Sequence, residues 1–231
     1  MFNKRETLIQ NIAYMGIMCA INVIFVVMTY FVPFLLFVLV FVLPLTSAIV
    51  TLFCKKKYFP IYALATIAIC LLVTVNNISD TLFYVIPSIL SGFAFGIFVE
   101  KKVPTIWIII ISSLITLGFS YAFIPLIQFI YGTDIVKTFI NMFGLAEFKY
   151  ANYIIPCFIF FISLAQSTIS YIVIKTQIPK LGYSINDTLK GYYHYLGALI
   201  CALLEMLLIF VYPDLSYLFM FLVWYFSIFV F

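Results

Sequence analysis

Charge is what this sequence lacks most. Only 9% of its 231 residues are Asp, Glu, Lys or Arg, and it has a single histidine. From Thr7 to Cys54 there is no charged residue or histidine at all, a run of 48 residues that ends at Lys55-Lys56-Lys57. About 20 apolar residues cross the hydrocarbon core of a bilayer, so this run holds two crossings. Hydrophobic residues make up 66% of the chain and the mean hydropathy is +1.24, which leaves no stretch able to form a water-soluble domain. One integral membrane domain over residues 1–231 is expected.

Other absences narrow the chemistry. Cys19, Cys54, Cys70, Cys157 and Cys201 are isolated, with no C-x-x-C pair, so neither a disulfide framework nor a metal site is expected. There is no H-E-x-x-H, no G-x-S-x-G and no G-x-x-x-x-G-K-[ST], which argues against an enzyme, a bound cofactor and a nucleotide site on this chain. If ATP is used, another subunit binds it. The net charge of +4 comes from short basic clusters between apolar runs, where topology needs them, and does not indicate nucleic acid. Lys4 and Arg5 imitate the start of a signal peptide, but the run after them exceeds an h-region and ends in no small-x-small pattern. It reads as the first span.

Apolar runs set against charges and turn residues predict an all-α polytopic transmembrane bundle of about eight spans. Their approximate limits are 8–31, 34–53, 59–76, 81–99, 104–129, 153–174, 192–212 and 215–231. Pro33, Asn76-Asn77 with Asp80, and Pro213-Asp214 supply turns, while Pro60 and Pro104 suit first helical turns. Placing the N-terminus in the cytoplasm puts ten cations inside (Lys4, Arg5, Lys55, Lys56, Lys57, Lys101, Lys102, Lys175, Lys180, Lys190) and only Lys137 and Lys149 outside. Both chain ends are therefore expected in the cytoplasm of a cell-membrane protein. The last span, Leu215 to Phe231, is short for a crossing and is expected to be incomplete or to lie shallow.

The outer loop 130–152 carries apolar residues at helical spacing (Ile135, Val136, Phe139, Ile140, Phe143) opposite Asp134, Lys137, Thr138 and Asn141. A short amphipathic helix on the outer surface is expected there, either a plain interfacial connector or a lid over a pocket. Glu205 is the one charge well inside a span, and His194 stands eleven residues earlier on the same face but about 16 Å away along the axis. Either Glu205 is protonated and hydrogen-bonded to a neighbouring helix, or it serves a substrate or a proton.

Polar and small residues within the spans fall into rows. Asp80, Tyr84, Ser88, Gly92 and Gly96 recur every fourth residue, polar in the outer half and small in the inner half. Ser113, Thr116, Ser120 and Gln128 mark the fifth span, and Ser163, Gln166, Ser167 and Ser170 the sixth. Such groups serve as interhelical glue or as ligand contacts. Several helices bring them to one depth below the long loop, so a small-molecule site is expected in the outer leaflet half. It is lined by Asp80, Tyr84, Ser88, Ser120, Gln128 and Asn152, with Tyr84 and Tyr131 as stacking surface and Asp80 selecting a cationic or hydroxyl-bearing ligand. Partner docking is expected at Ala13, Gly16 and Ala20 on the first helix and at Gly92 and Gly96 on the fourth, where backbones can approach.

The first span, Asn11-Ile-Ala13-Tyr-Met-Gly16-Ile-Met-Cys-Ala20-Ile-Asn22, resembles the first helix of the substrate-binding (S) components of energy-coupling-factor transporters, with Gly16-x-x-x-Ala20 in place of an Ala-x-x-x-Ala motif. Residues 33–44, the stretch Ile86-Pro87-Ser88 to Gly96, and the basic exit Lys101-Lys102 resemble the eight-span YybS-like branch of membrane proteins. The resemblance covers about residues 8–175 and implies a six-helix core, to which two further spans over about 192–231 are added. It also implies a micronutrient bound near the outer surface, docking of the first helix on a transmembrane (T) coupling subunit, and ATPases in trans. Two alternatives stand beside this uptake reading. One is a non-transporting scaffold subunit in cell-envelope assembly; the other is an intramembrane lipid-handling enzyme using Glu205 and His194.

Overall fold

A computed structural model describes residues 4–182 apart from 33, 76, 133 and 143–150, together with 196, 197, 199–204, 206, 207 and 223. The described residues are helical throughout, with no strand among them. The order is α1 (Leu8–Phe31), α2 (Leu35–Phe53), a 3-10 turn (Lys56–Tyr58), α3 (Phe59–Val73), α4 (Ile78–Asp80), a π turn (Thr81–Val85), α5 (Ile86–Glu100), α6 (Thr105–Tyr131), α7 (Ile135–Met142) and α8 (Ala151–Gln177), closed by a 3-10 turn (Ile178–Leu181). Four stretches are long and apolar enough to cross a bilayer: Leu8–Phe31, Lys56–Val73, Ile78–Glu100 and Trp107–Tyr131. The chain is a membrane-embedded helical protein. Of the seventh expected span, residues 196, 197, 199–204, 206 and 207 are described and helical; of the eighth only 223 is described, and His194 and Glu205 lie outside the described residues.

Local chemistry sets the helix limits. Thr7 caps α1, its Oγ1 accepting from the Gln10 N–H at 3.3 Å, and Pro60 occupies the first turn of α3, where its missing N–H leaves nothing unpaired. Helix α6 stops at Gly132, whose φ of +65° closes the last turn by N–H donation to the Gln128 carbonyl. The third helix ends at Val73, about three residues before its hydropathy implied, where Thr74 pairs with Thr81 across the turn at 2.6 Å. The fourth begins earlier, at Ile78, and is not uniform. Pro87 brings no N–H and its ring crowds the carbonyl one turn back, so the chain takes one wider turn, with Ile86 N–H reaching the Thr81 carbonyl.

Helix α2 is the spine. Leu39 and Leu43 belong to a core with α1 and α3, whereas Ala48 and Leu52 belong to a second core with α5, α6 and α8. Its internal Pro44 leaves the Val40 carbonyl without its helical donor, and Ser170 of α8 donates to that oxygen at 3.5 Å. On another side Gly92 and Gly96 of α5 pack directly on α2. A Cβ on Gly92 would lie against the Pro44 carbonyl and 2.6 Å from Ser47 Cβ, and one on Gly96 would lie 2.5 Å from Thr51 Cβ. The expectation that these two glycines dock a partner is corrected: their approach surface is already filled by α2. Outward, large apolar side chains such as Ile9, Phe31, Leu72 and Phe129 are exposed, as lipid-facing residues are.

Candidate functional site

At the end of the bundle away from the basic clusters, the α3–α4 turn is tied by side chains. Asn77 Nδ2 donates to Asp80 Oδ2 at 2.7 Å, Ser79 Oγ donates to Asn77 Oδ1 at 2.6 Å, and the Ile78 N–H donates to the Tyr131 hydroxyl at 3.0 Å. Asp80 is therefore half-buried and engaged, beside a partly exposed Tyr84. Ser88 is fully buried deeper down, and Gln166 of α8 donates to its Oγ at 3.4 Å. The π turn separates these residues: Asp80 and Ser88 lie on either side of the widened segment, so the row of every fourth residue does not hold one face.

The other expected contributors do not join them. Ser120 Oγ donates back to the Thr116 carbonyl of its own helix at 2.9 Å, and Gln128 is exposed. Asn152 lies on α8, but its side chain is outside the described residues. Helix α7 forms where its spacing predicted, started by Asp134 Oδ1 accepting from the Lys137 N–H at 3.1 Å. It touches α6 and α8. The structure thus brings Asp80, Tyr84 and Tyr131 to one turn, while Ser88 is buried against Gln166, Ser120 is bonded to its own helix and Gln128 is exposed.

On α1 the picture differs. Ala13, Gly16 and Ala20 are all exposed, and a Cβ built on Gly16 would meet nothing within 4 Å. Gly16 and Ala20 line a groove of about 480 Å³ between α1 and α3, walled by Ile12, Val23, Ile24, Ile61, Ala65 and Ile69 and floored by Met15, Cys19 and Tyr62. The hydroxyl of Tyr62 is turned away into a buried polar network. Asn22 Nδ2 donates to it at 2.7 Å, Thr46 Oγ1 donates to Asn22 Oδ1 at 2.7 Å, and Ser47 Oγ stands 3.5 Å from it. One amide so links α1, α2 and α3 inside an apolar core. Sequence reasoning missed this network, although an Asn in the middle of an apolar span is a signal that a partner waits on another helix.

The end carrying the basic clusters is also stitched. Asn11 Oδ1 accepts from the Lys55 N–H at 2.9 Å while its Nδ2 donates to the Arg5 and Thr7 carbonyls, and the Arg5 guanidinium lies 3.5 Å from the centre of the Tyr14 ring. Lys4 and Lys56 both pair with Glu100 at 2.9 Å. These contacts fix the depth of α1 against the start of α3 and the end of α5.

No family model matches this chain, and comparison with curated proteins and with solved structures finds no match either.

Proposed function

We propose that this chain is the substrate-binding, S-component-like subunit of an ATP-driven small-molecule uptake transporter, with ATP hydrolysed by partner subunits. The observation that carries the reading is the contrast between the two small-residue rows. Gly92 and Gly96 are covered by α2, whereas Ala13, Gly16 and Ala20 remain open on α1, where the resemblance puts the docking face for a T subunit. In this reading the chain has eight spans with both ends in the cytoplasm of a plasma-membrane protein, and Asp80, Tyr84 and Tyr131 form the rim of the ligand site.

A second reading, a non-transporting scaffold subunit, is favoured by one observation: Ser88, Ser120 and Asp80 are all hydrogen-bonded within the bundle rather than converging on a ligand. Purification in mild detergent from native membranes separates the two. Copurification of an ATPase pair with a T subunit, and a bound small molecule identified by mass spectrometry, is the expected result. Copurification of envelope-assembly proteins alone would replace transport by scaffolding.

Topology has its own test. In a background with the five cysteines replaced, Thr138→Cys on α7 and Leu181→Cys after α8 are both exposed positions. An impermeant thiol reagent on intact cells is expected to label position 138 and spare 181. The reverse labelling would overturn the assignment of sides.

A further inference from the structure

The groove between α1 and α3 is concave, apolar and open outward, and its lining begins close to the turn that carries Lys55, Lys56 and Lys57. Its lining starts at Ile12 on α1 and Ile61 on α3. The Asn11 side chain takes the Lys55 N–H at 2.9 Å, which holds the residue before Ile12 level with the turn that carries Lys57. Lys57 stands in the 3-10 turn just before α3, four residues ahead of Ile61, so it lies at the end of α3 where the lining of the groove begins.

Of the cations around this turn, four are engaged, while Lys101 and Lys102 stand exposed after α5. Lys4 and Lys56 pair with Glu100, Lys55 Nζ donates to the Glu6 carbonyl at 2.8 Å, and Arg5 is stacked on Tyr14. Lys57 is exposed and pairs with no carboxylate among the described residues; its Nζ lies 4.9 Å from the centre of the Tyr58 ring. On this side of the described chain the carboxylates are Glu6 and Glu100, and the latter already serves two lysines. The field at the mouth of the groove is therefore positive.

We propose that this groove is a binding site for one anionic glycerophospholipid, with an acyl chain along Ile12, Gly16, Ala20, Ile61 and Ala65 and the phosphate at Lys57. The volume suits the occupant. At about 30 Å³ for each water-sized group, a groove of about 480 Å³ takes roughly one acyl chain. The charge suits it as well, since a basic residue at a membrane surface favours anionic headgroups and a neutral zwitterion gains much less. Gly16 and Ala20 matter because side chains of their size leave the trough deep enough for a chain; leucine there fills it. The proposal does not depend on the transport reading, and a helix docking on α1 would compete with the lipid for the same trough.

The test uses the full chain alone. It is reconstituted into nanodiscs of equal phosphatidylglycerol and phosphatidylcholine with the same acyl chains, extracted into mild detergent, and the retained lipid is counted by native mass spectrometry. Wild type is expected to keep one phosphatidylglycerol per chain in about fivefold preference over phosphatidylcholine. Lys57→Gln is expected to bring that ratio close to one, and Ala20→Leu to lose the retained lipid, with thermal melting of both variants confirming that they fold. If Ala20→Leu fails to fold, Gly16→Leu, where the added side chain meets open space, replaces it. Retention unchanged in Lys57→Gln, retention unchanged in the filled groove, or another polypeptide in place of lipid on the wild-type chain would each overturn the proposal.

Discussion

Gly92→Leu is expected to be the most damaging single substitution within the described bundle. Even a Cβ at this position would press on the Pro44 carbonyl and lie 2.6 Å from Ser47 Cβ, and neither can retreat, because Pro44 and Ser47 belong to the backbone and buried face of α2. Helix α2 in turn is fixed on its other sides by α1 and α8, with Leu43, Ala48 and Leu52 all fully buried. The strain therefore has to be relieved by moving α5 away from α2, which opens the contact on which both cores depend. Overpacking at such a site costs about 3 kcal/mol, the upper end of its usual range. For a chain of this size that lowers the melting temperature by about 10 °C in a thermal scan of the detergent-solubilised protein. Gly16→Leu supplies the control: nothing lies within 4 Å of its Cβ, so no helix has to move and its melting temperature is expected to fall far less than that of the Gly92 variant. Equal melting of the Gly92 variant and wild type would mean that α2 and α5 are not in contact as described.

That contrast also marks how far the sequence could be read. Gly16-x-x-x-Ala20 and Gly92-x-x-x-Gly96 present the same small-x-x-x-small spacing, and spacing says only that a helix can come close, not which one. The choice is made by tertiary packing, which gave the second pair to α2 and left the first pair open. Helix existence was legible because charge and turn residues interrupt the apolar runs, and the first, second, fifth and sixth helices begin and end within a few residues of where hydropathy put them. The third and fourth differ by about three residues at the turn between them, no more than the sixth; what hydropathy could not show there is that Thr74 and Thr81 meet across the turn and that the helix widens ahead of Pro87. The residues of the expected ligand site are brought together only in part among the described residues, for a related reason. Depth along a helix can be counted from the sequence, but direction depends on phase: Ser120 bonds back to its own helix and Gln128 is exposed. Ser88 illustrates the remaining ambiguity: a hydroxyl expected to meet a ligand is met by Gln166, a side chain 78 residues away.

Asn22→Leu is expected to have the second-largest effect, through loss of partners rather than lack of room. Asn22 donates to Tyr62 and accepts from Thr46, contacts spanning 40 and 24 residues, so one side chain joins three helices. Its removal does not strand Thr46, whose Oγ1 also donates to the Leu43 carbonyl at 2.9 Å. The cost falls on Tyr62, whose hydroxyl loses its 2.7 Å donor and keeps Ser47 at 3.5 Å while remaining buried. An unsatisfied buried polar group costs about 1–3 kcal/mol, and interhelical hydrogen bonds within membranes reach about 1.7 kcal/mol, so a loss near that upper figure is expected. Tyr62→Phe alone should cost a similar amount, since it leaves the Asn22 amide without its acceptor. The two together should cost clearly less than their sum, because the double variant removes both members of the pair and leaves neither partner waiting in an apolar core. A double-mutant cycle read from the free energies of unfolding in mild detergent checks this, with a coupling of about 1 kcal/mol expected. Strict additivity would mean that Asn22 and Tyr62 act independently and that the amide does not hold α1 against α3.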